Sequence, residues 1–247
     1  MGGLWQWRVC GSSRLCGSNS MARSFNGSNQ YMGSSHSPVN GFPFTACGWF
    51  QMASIPASQC PFVVGSNGSG AVIMYFSVNS PGNFYAVCAD GSNFPLAEIS
   101  NSLSENIWYH LAASASWNGT NVSITAYLNG DNKTTGGGNL SFGGGMINSY
   151  IGVFDDGSSY KFNGAAADVA VWNVILSDGE IAALGKYGAR PNKVRSGNLV
   201  QWYPLWGLSS PEPDLSGNKH NMILTNAPPI APGPPVMMFT PRTGTIF

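Results

Sequence analysis

Apolar and polar residues alternate with a period of two in short runs separated by Gly, Asn, Ser and Asp, the pattern of half-buried strands joined by tight turns. Phe44, Ala46, Gly48, Phe50 and Met52 fall on one face of such a run, and Val72, Met74, Phe76 and Val78 on one face of another. Runs at 84–89, 108–117, 122–129, 149–154, 165–172, 199–205 and 222–224 extend the set beyond what one open sheet holds. The pattern predicts an all-β fold, a two-sheet antiparallel β-sandwich of jelly-roll type. One departure from the period is Ser177-Asp178-Gly179-Glu180, a capping box that predicts a short peripheral helix running into Ile181 and Leu184 and ending at Gly185 or Gly188. The glycine clusters 136–138 and 143–145 read as loops between strands.

Three segments follow from this reading: an N-terminal extension at 1–20, the jelly roll at 21–226, and a tail at 227–247. The tail's APPIAPGPPV has too many prolines for a ladder and is expected to be extended.

Lys+Arg and Asp+Glu are both 11, and charged residues make up 9% of the 247. No basic field is available for nucleic acid or an anionic membrane surface. No apolar run approaches the roughly 20 residues of a membrane helix. With 43% hydrophobic residues the chain can bury a core, which excludes disorder throughout. Arg8 and Arg14 interrupt the stretch where an export signal would be apolar, so no such signal is read. The five cysteines, 10, 16, 47, 60 and 88, lack CxxC spacing and are expected to be free and buried, with a Cys10–Cys16 bridge as the alternative.

Glu98, Glu105, Glu180 and Glu212 are scattered and do not alternate along a strand as the paired carboxylates of a glycosidase would. The three histidines show no ligand spacing, and no nucleophile elbow or phosphate loop occurs. No enzyme and no cofactor are therefore expected. Calcium has a candidate in Asp155 and Asp156, adjacent carboxylates before a glycine, although Asp-Gly is first a turn dipeptide, as at Asp90-Gly91. Aromatic side chains are the remaining resource, because sugar rings stack on them. Trp117, Tyr127, Tyr150 and Tyr160, all near turns, are the candidate ligand-binding residues, with core packing as the alternative for each.

Trp108-Tyr109-His110-Leu111-Ala112 followed by Ala126-Tyr127-Leu128-Asn129-Gly130 resembles the paired signature of laminin-G-like, concanavalin-A-like domains. Tyr150-Ile151-Gly152, Phe162-Asn163-Gly164 and Asp168-Val169-Ala170-Val171-Trp172-Asn173 match the C-terminal half of that family in order, and Ser24-Phe25-Asn26-Gly27 its opening strand. The resemblance implies a two-sheet jelly roll over about 21–226. Its motif residues are expected to be architectural: Trp108 and Val169 in the core, Asn129-Gly130 in a hairpin, Asp168 opening the last long strand.

The opening Met21-Ala22-Arg23-Ser24 and the closing Trp202-Tyr203-Pro204-Leu205 resemble single-domain forms found among bacteriophage structural proteins. That resemblance implies a non-enzymatic virion surface protein, a capsid decoration or fibre component present in many copies. Its partners would be capsid or other virion proteins, and Trp5, Trp7, Met237, Met238, Phe239 and Phe247 would be the anchors. The alternative is a secreted or cell-surface lectin whose partners are glycans.

Overall fold

Alternation along the chain is realised as fifteen strands and one α-helix in a computed structural model, which describes residues 21–56, 58–67, 71–155, 157–207 and 210–235. The strands are β1 (Met21–Asn26), β2 (Tyr31–Ser34), β3 (Phe44–Met52), β4 (Gln59–Ser66), β5 (Ala71–Asn79), β6 (Asn83–Asp90), β7 (Leu96–Ile99), β8 (Trp108–Trp117), β9 (Asn121–Leu128), β10 (Asn132–Asn139), β11 (Asn148–Ile151), β12 (Asn163–Trp172), β13 (Leu199–Tyr203), β14 (Ile223–Thr225) and β15 (Ile230–Pro232).

Hydrogen bonding runs through them in the order β14-β2-β11-β4-β5-β6-β7-β10-β9-β8-β3-β12-β1-β15, with β13 beside β12. The two predicted sheets are thus halves of one antiparallel sheet folded back on itself, and the seam between β7 and β10 is the pair Leu96–Gly137. Phe50 of β3 meets Phe76 of β5 edge-on at 6.2 Å, so the inner faces of the halves share a core. Phe25, Phe44, Phe62, Phe84, Phe162 and Tyr203 add further large rings to it.

Several expectations change. Residues 136–138 are not a loop but part of β10, where a Cβ on Gly136 would stand 2.0 Å from the Leu96 carbonyl oxygen and one on Gly137 2.1 Å from that of Val122. Glycine is what lets β10 pass close to β7 and β9 at the seam. Val72 leaves the face of Met74, Phe76 and Val78 because the register with β6 shifts between Val72 and Tyr75, and it packs with Cys60, Val63 and Ala89 instead. Asp168 does not open β12 but sits mid-strand with φ +47, in a register shift between Ala167 and Ala170. Trp108 is half-buried and lies outside the main core, whereas Val169 lies within it. The tail forms a ladder after all: Ile230, Ala231 and Pro232 pair with Arg23, Ala22 and Met21 at the edge of the sheet, the position that tolerates proline.

The helix α1 (Asp178–Gly185) begins as read. The Ser177 hydroxyl accepts from Glu180 N, and Glu180 Oε2 accepts from Ser177 N at 2.8 Å. Ile181 and Leu184 fix it over the outer face of β3, β8, β9 and β12, among Cys47, Tyr127, Trp172 and Trp202. Glu212 is more than a turn residue, because it forms a buried ion pair with Arg23 of β1 at 2.9 Å, and Arg23 also donates to the Pro228 carbonyl at 2.7 Å. This contact ties the C-terminal segment to the first strand. Cys47, Cys60 and Cys88 are free and buried, while Cys10 and Cys16 lie outside the described residues.

Candidate functional site

On β5 the even positions Met74, Phe76 and Val78 point into the core, which turns Tyr75 and Ser77 to the outer face of the same half. There they form the floor of a cleft of about 330 Å³, with Ser58 and Cys60 beside them. Its walls come from two loops. Gly91 and Phe94 belong to the turn after β6, and Phe154 and Tyr160 to the loop between β11 and β12.

Both loops are braced. Asp90 Oδ1 accepts from Ser92 N and Asn93 N, and its Oδ2 from Asn93 Nδ2 and Ser141 N. Although desolvation opposes the charge, these donors hold the carboxyl well below the usual range and spend its oxygens on the turn. The second loop closes through Gly152 N to Pro61 O and Phe162 N to Gly152 O, both at 3.0 Å, and Cys60 N donates to Tyr160 O at 2.7 Å.

Phe154 stands edge-on to Tyr75 at 4.9 Å and to Tyr160 at 5.7 Å, so three rings support one another. Tyr160 holds φ +49, a conformation L-residues avoid, and the residue is 53% exposed, as is Phe94. Burial pushes the Cys60 thiol and the Tyr75 hydroxyl well up, so both stay protonated at neutral pH. Among the described residues the lining therefore carries no charge. It offers apolar ring faces and the hydroxyls of Ser58, Ser77, Tyr75 and Tyr160.

Of the four aromatic residues expected to meet a ligand, only Tyr160 lines this cleft. Tyr150 packs just behind it with Cys60, Tyr75 and Phe154. Trp117 is elsewhere, with its Nε1 donating to Leu140 O and its ring against Phe42 and Phe142. Tyr127 matches the packing alternative, since it is buried under α1 with its hydroxyl donating to Asp178. Asp155 is buried and near enough to Cys60 to raise the thiol further, whereas Asp156 and the anchor candidates Trp5, Trp7, Met237, Met238, Phe239 and Phe247 lie outside the described residues. Tyr75 was legible as the outward position of β5, but Phe94 and Phe154 belong to loops, where no periodicity marks them.

Among the described residues no group of three or more His, Cys, Asp or Glu side chains is placed to hold a metal ion. Glu98 accepts from Ser100, Glu105 from Ile55 N, Glu180 serves the helix cap and Glu212 is paired with Arg23.

A family model described as the concanavalin A-like lectin/glucanases superfamily, of laminin-G type, matches residues 26–182, well over half the chain. The chain belongs to this superfamily. No curated protein matches it. Among solved structures, this member of the concanavalin A-like superfamily is similar to a Bacteroides ovatus protein provisionally described as carbohydrate-binding, with TM-score 0.60 and 22% identity over 86% of this chain and 60% of that one. It is also similar to the CBM40 module of a Ruminococcus gnavus sialidase bound to α2,3-sialyllactose, with TM-score 0.53 and 17% identity over 68% of this chain and 100% of the module. A third is tailspike protein 2 of an Escherichia coli bacteriophage, with TM-score 0.54 and 14% identity over 74% of this chain and 26% of that one. At these identities the likeness is one of fold: a lectin-like jelly roll.

Proposed function

We propose that this jelly roll is a glycan-binding module that holds its ligand without transforming it, in the cleft of Tyr75, Phe154 and Tyr160. The observation that carries the reading is an uncharged cleft whose rim presents two half-exposed rings, one of them held there at the cost of a positive φ. Such rings accept the C–H faces of a pyranose, and the nearby hydroxyls bond its substituents. The carbohydrate-related descriptions of the Bacteroides and Ruminococcus proteins agree with it. The expected setting is extracellular or on a cell surface, where glycans are.

A glycan array probed with the full chain, in added Ca²⁺ and in EDTA, tests this. Saturable binding to a subset of glycans, equal in both buffers, is expected, because the lining supplies hydroxyls and rings but no carboxylate. Absence of saturable binding overturns the reading.

A second reading sets the same module on a virion as a decoration or fibre component. It is favoured by the resemblance to forms among bacteriophage structural proteins and by the fold shared with the tailspike. Virion and glycan readings are compatible, since a particle-borne module can also bind a surface glycan.

A further inference from the structure

The other half of the sheet carries a second concavity on its own outer face. On β3, Phe50 and Met52 enter the core, and Trp49 faces outward. Pairing of Trp49 with His110 and of Gln51 with Trp108 makes Trp49 and Trp108 diagonal neighbours across β3 and β8 on that face. Both pack on Ala22, Ala165 and Ala167, whose small side chains fit beneath large rings, and both remain half-buried.

The two indoles line a cavity of about 410 Å³, with Asn129 and Asp131 from the β9–β10 hairpin, Lys186 from the end of α1, and Pro235. Gly185 brings the helix end against this hairpin, since a Cβ there would stand 2.6 Å from His110 Nδ1 and 2.7 Å from Gly130 N.

The donors of this cavity differ from those elsewhere. Trp117, Trp172 and Trp202 spend their indole N–H groups on Leu140 O, Val194 O and Asp168 Oδ1. Neither Trp49 nor Trp108 donates a hydrogen bond from Nε1 among the described residues. Asn129 Oδ1 accepts from His110 N at 3.0 Å, which fixes the amide, while its Nδ2 has no acceptor among the described residues. Asp131 and Lys186 pair at 2.6 Å on the rim.

We propose that this cavity is a second saccharide site, so that a single domain binds glycan on two opposite outer faces. Apolar indole surface beside free N–H donors, an amide and a carboxylate–ammonium pair is the chemistry of a sugar ring with its hydroxyls. A proline-rich peptide would use the rings but leave the amide and the ion pair idle, and Pro235 of this chain already forms one wall. The ligand class follows the proposed function, but the site does not depend on the first cleft.

Among the described residues no tryptophan lines the first cleft, and this separates the two tests. The full chain, ¹⁵N-labelled, is titrated with maltohexaose, cellohexaose and mannohexaose while indole N–H resonances and the backbone amides of Tyr75 and Tyr160 are followed. Trp→Phe variants assign the indoles. The expected result is a saturable shift of the Trp49 and Trp108 indoles that persists in Tyr160→Gly and weakens about tenfold in Trp108→Ala. Shifts confined to Tyr75 and Tyr160 overturn the second site and leave the first intact. Shifts confined to the indoles support the second site and remove the first. Silence at both sites overturns both. The reading in the unaltered chain stands even if Trp108→Ala fails to fold.

Discussion

Tyr160 and Asp168 both hold positive φ, at +49 and +47, a state that costs an L-residue about 1–2 kcal/mol. At Asp168 internal bonds offset the cost, because its carboxylate accepts from Arg190 Nη1 at 3.1 Å and from Trp202 Nε1 at 3.1 Å. Burial nonetheless pushes that carboxyl up, with Arg190 pulling against it. At Tyr160 the ring goes outward instead, with one edge-on contact to Phe154. His110 is also under tension, fully buried with Nδ1 unpartnered beside Gly185. Burial pushes its pKa from the ordinary 6.5 down to about 3. Between those values the unfolded chain binds the extra proton, so this contribution to stability is whole above about pH 6.5 and declines as pH falls toward 3. Urea unfolding should lose on the order of 2 kcal/mol between about pH 7 and about pH 4.5 from this group, and His110→Gln should flatten that slope. An unchanged slope in the variant would show that His110 is not buried in its neutral form.

Strands with a clean period of two were legible almost to the residue. β3 and β8 coincide with the runs read from the sequence, and the capping box placed α1. β4 carries no alternation because all eight of its residues are buried, and its Pro61 is a residue that strands disfavour. β10 was missed because Gly136, Gly137 and Gly138 carry no pattern at all. Their role emerges only with β7 beside them, a neighbour some forty positions away in sequence. The cleft was legible to the same degree: Tyr160 could be proposed, whereas Phe94 and Phe154 depended on how two loops fold over β5. A Gly136→Ala chain should lose about 3 kcal/mol of unfolding free energy, since its Cβ meets a backbone oxygen at 2.0 Å. Gly143→Ala, whose Cβ would meet nothing within 4 Å, should be near neutral in the same urea experiment. Equal effects would mean that the seam between β7 and β10 is not closed as described.

At the scale of the molecule, one sheet folded over a single core leaves two outer faces. The first bears the Tyr75–Phe154–Tyr160 cleft and the second bears Trp49 and Trp108 beside α1. Low charge, 11 acidic against 11 basic residues, suits neutral ligands held by ring faces rather than polyanions held by a field. The C-terminal segment is fastened to β1 by the β15 ladder and by the Arg23–Glu212 pair, and it delivers Pro235 to the second face. Titration of the strongest array glycan into the full chain and into Tyr160→Gly, with the affinity of the first cleft read from the backbone amide of Tyr75, tests the central claim most directly. Glycine keeps the backbone at φ +49 without strain while removing the ring, so the fold is preserved and the stacking surface is lost. The account predicts an affinity about tenfold weaker in the variant, or lost altogether. Equal affinity in the two chains would contradict it.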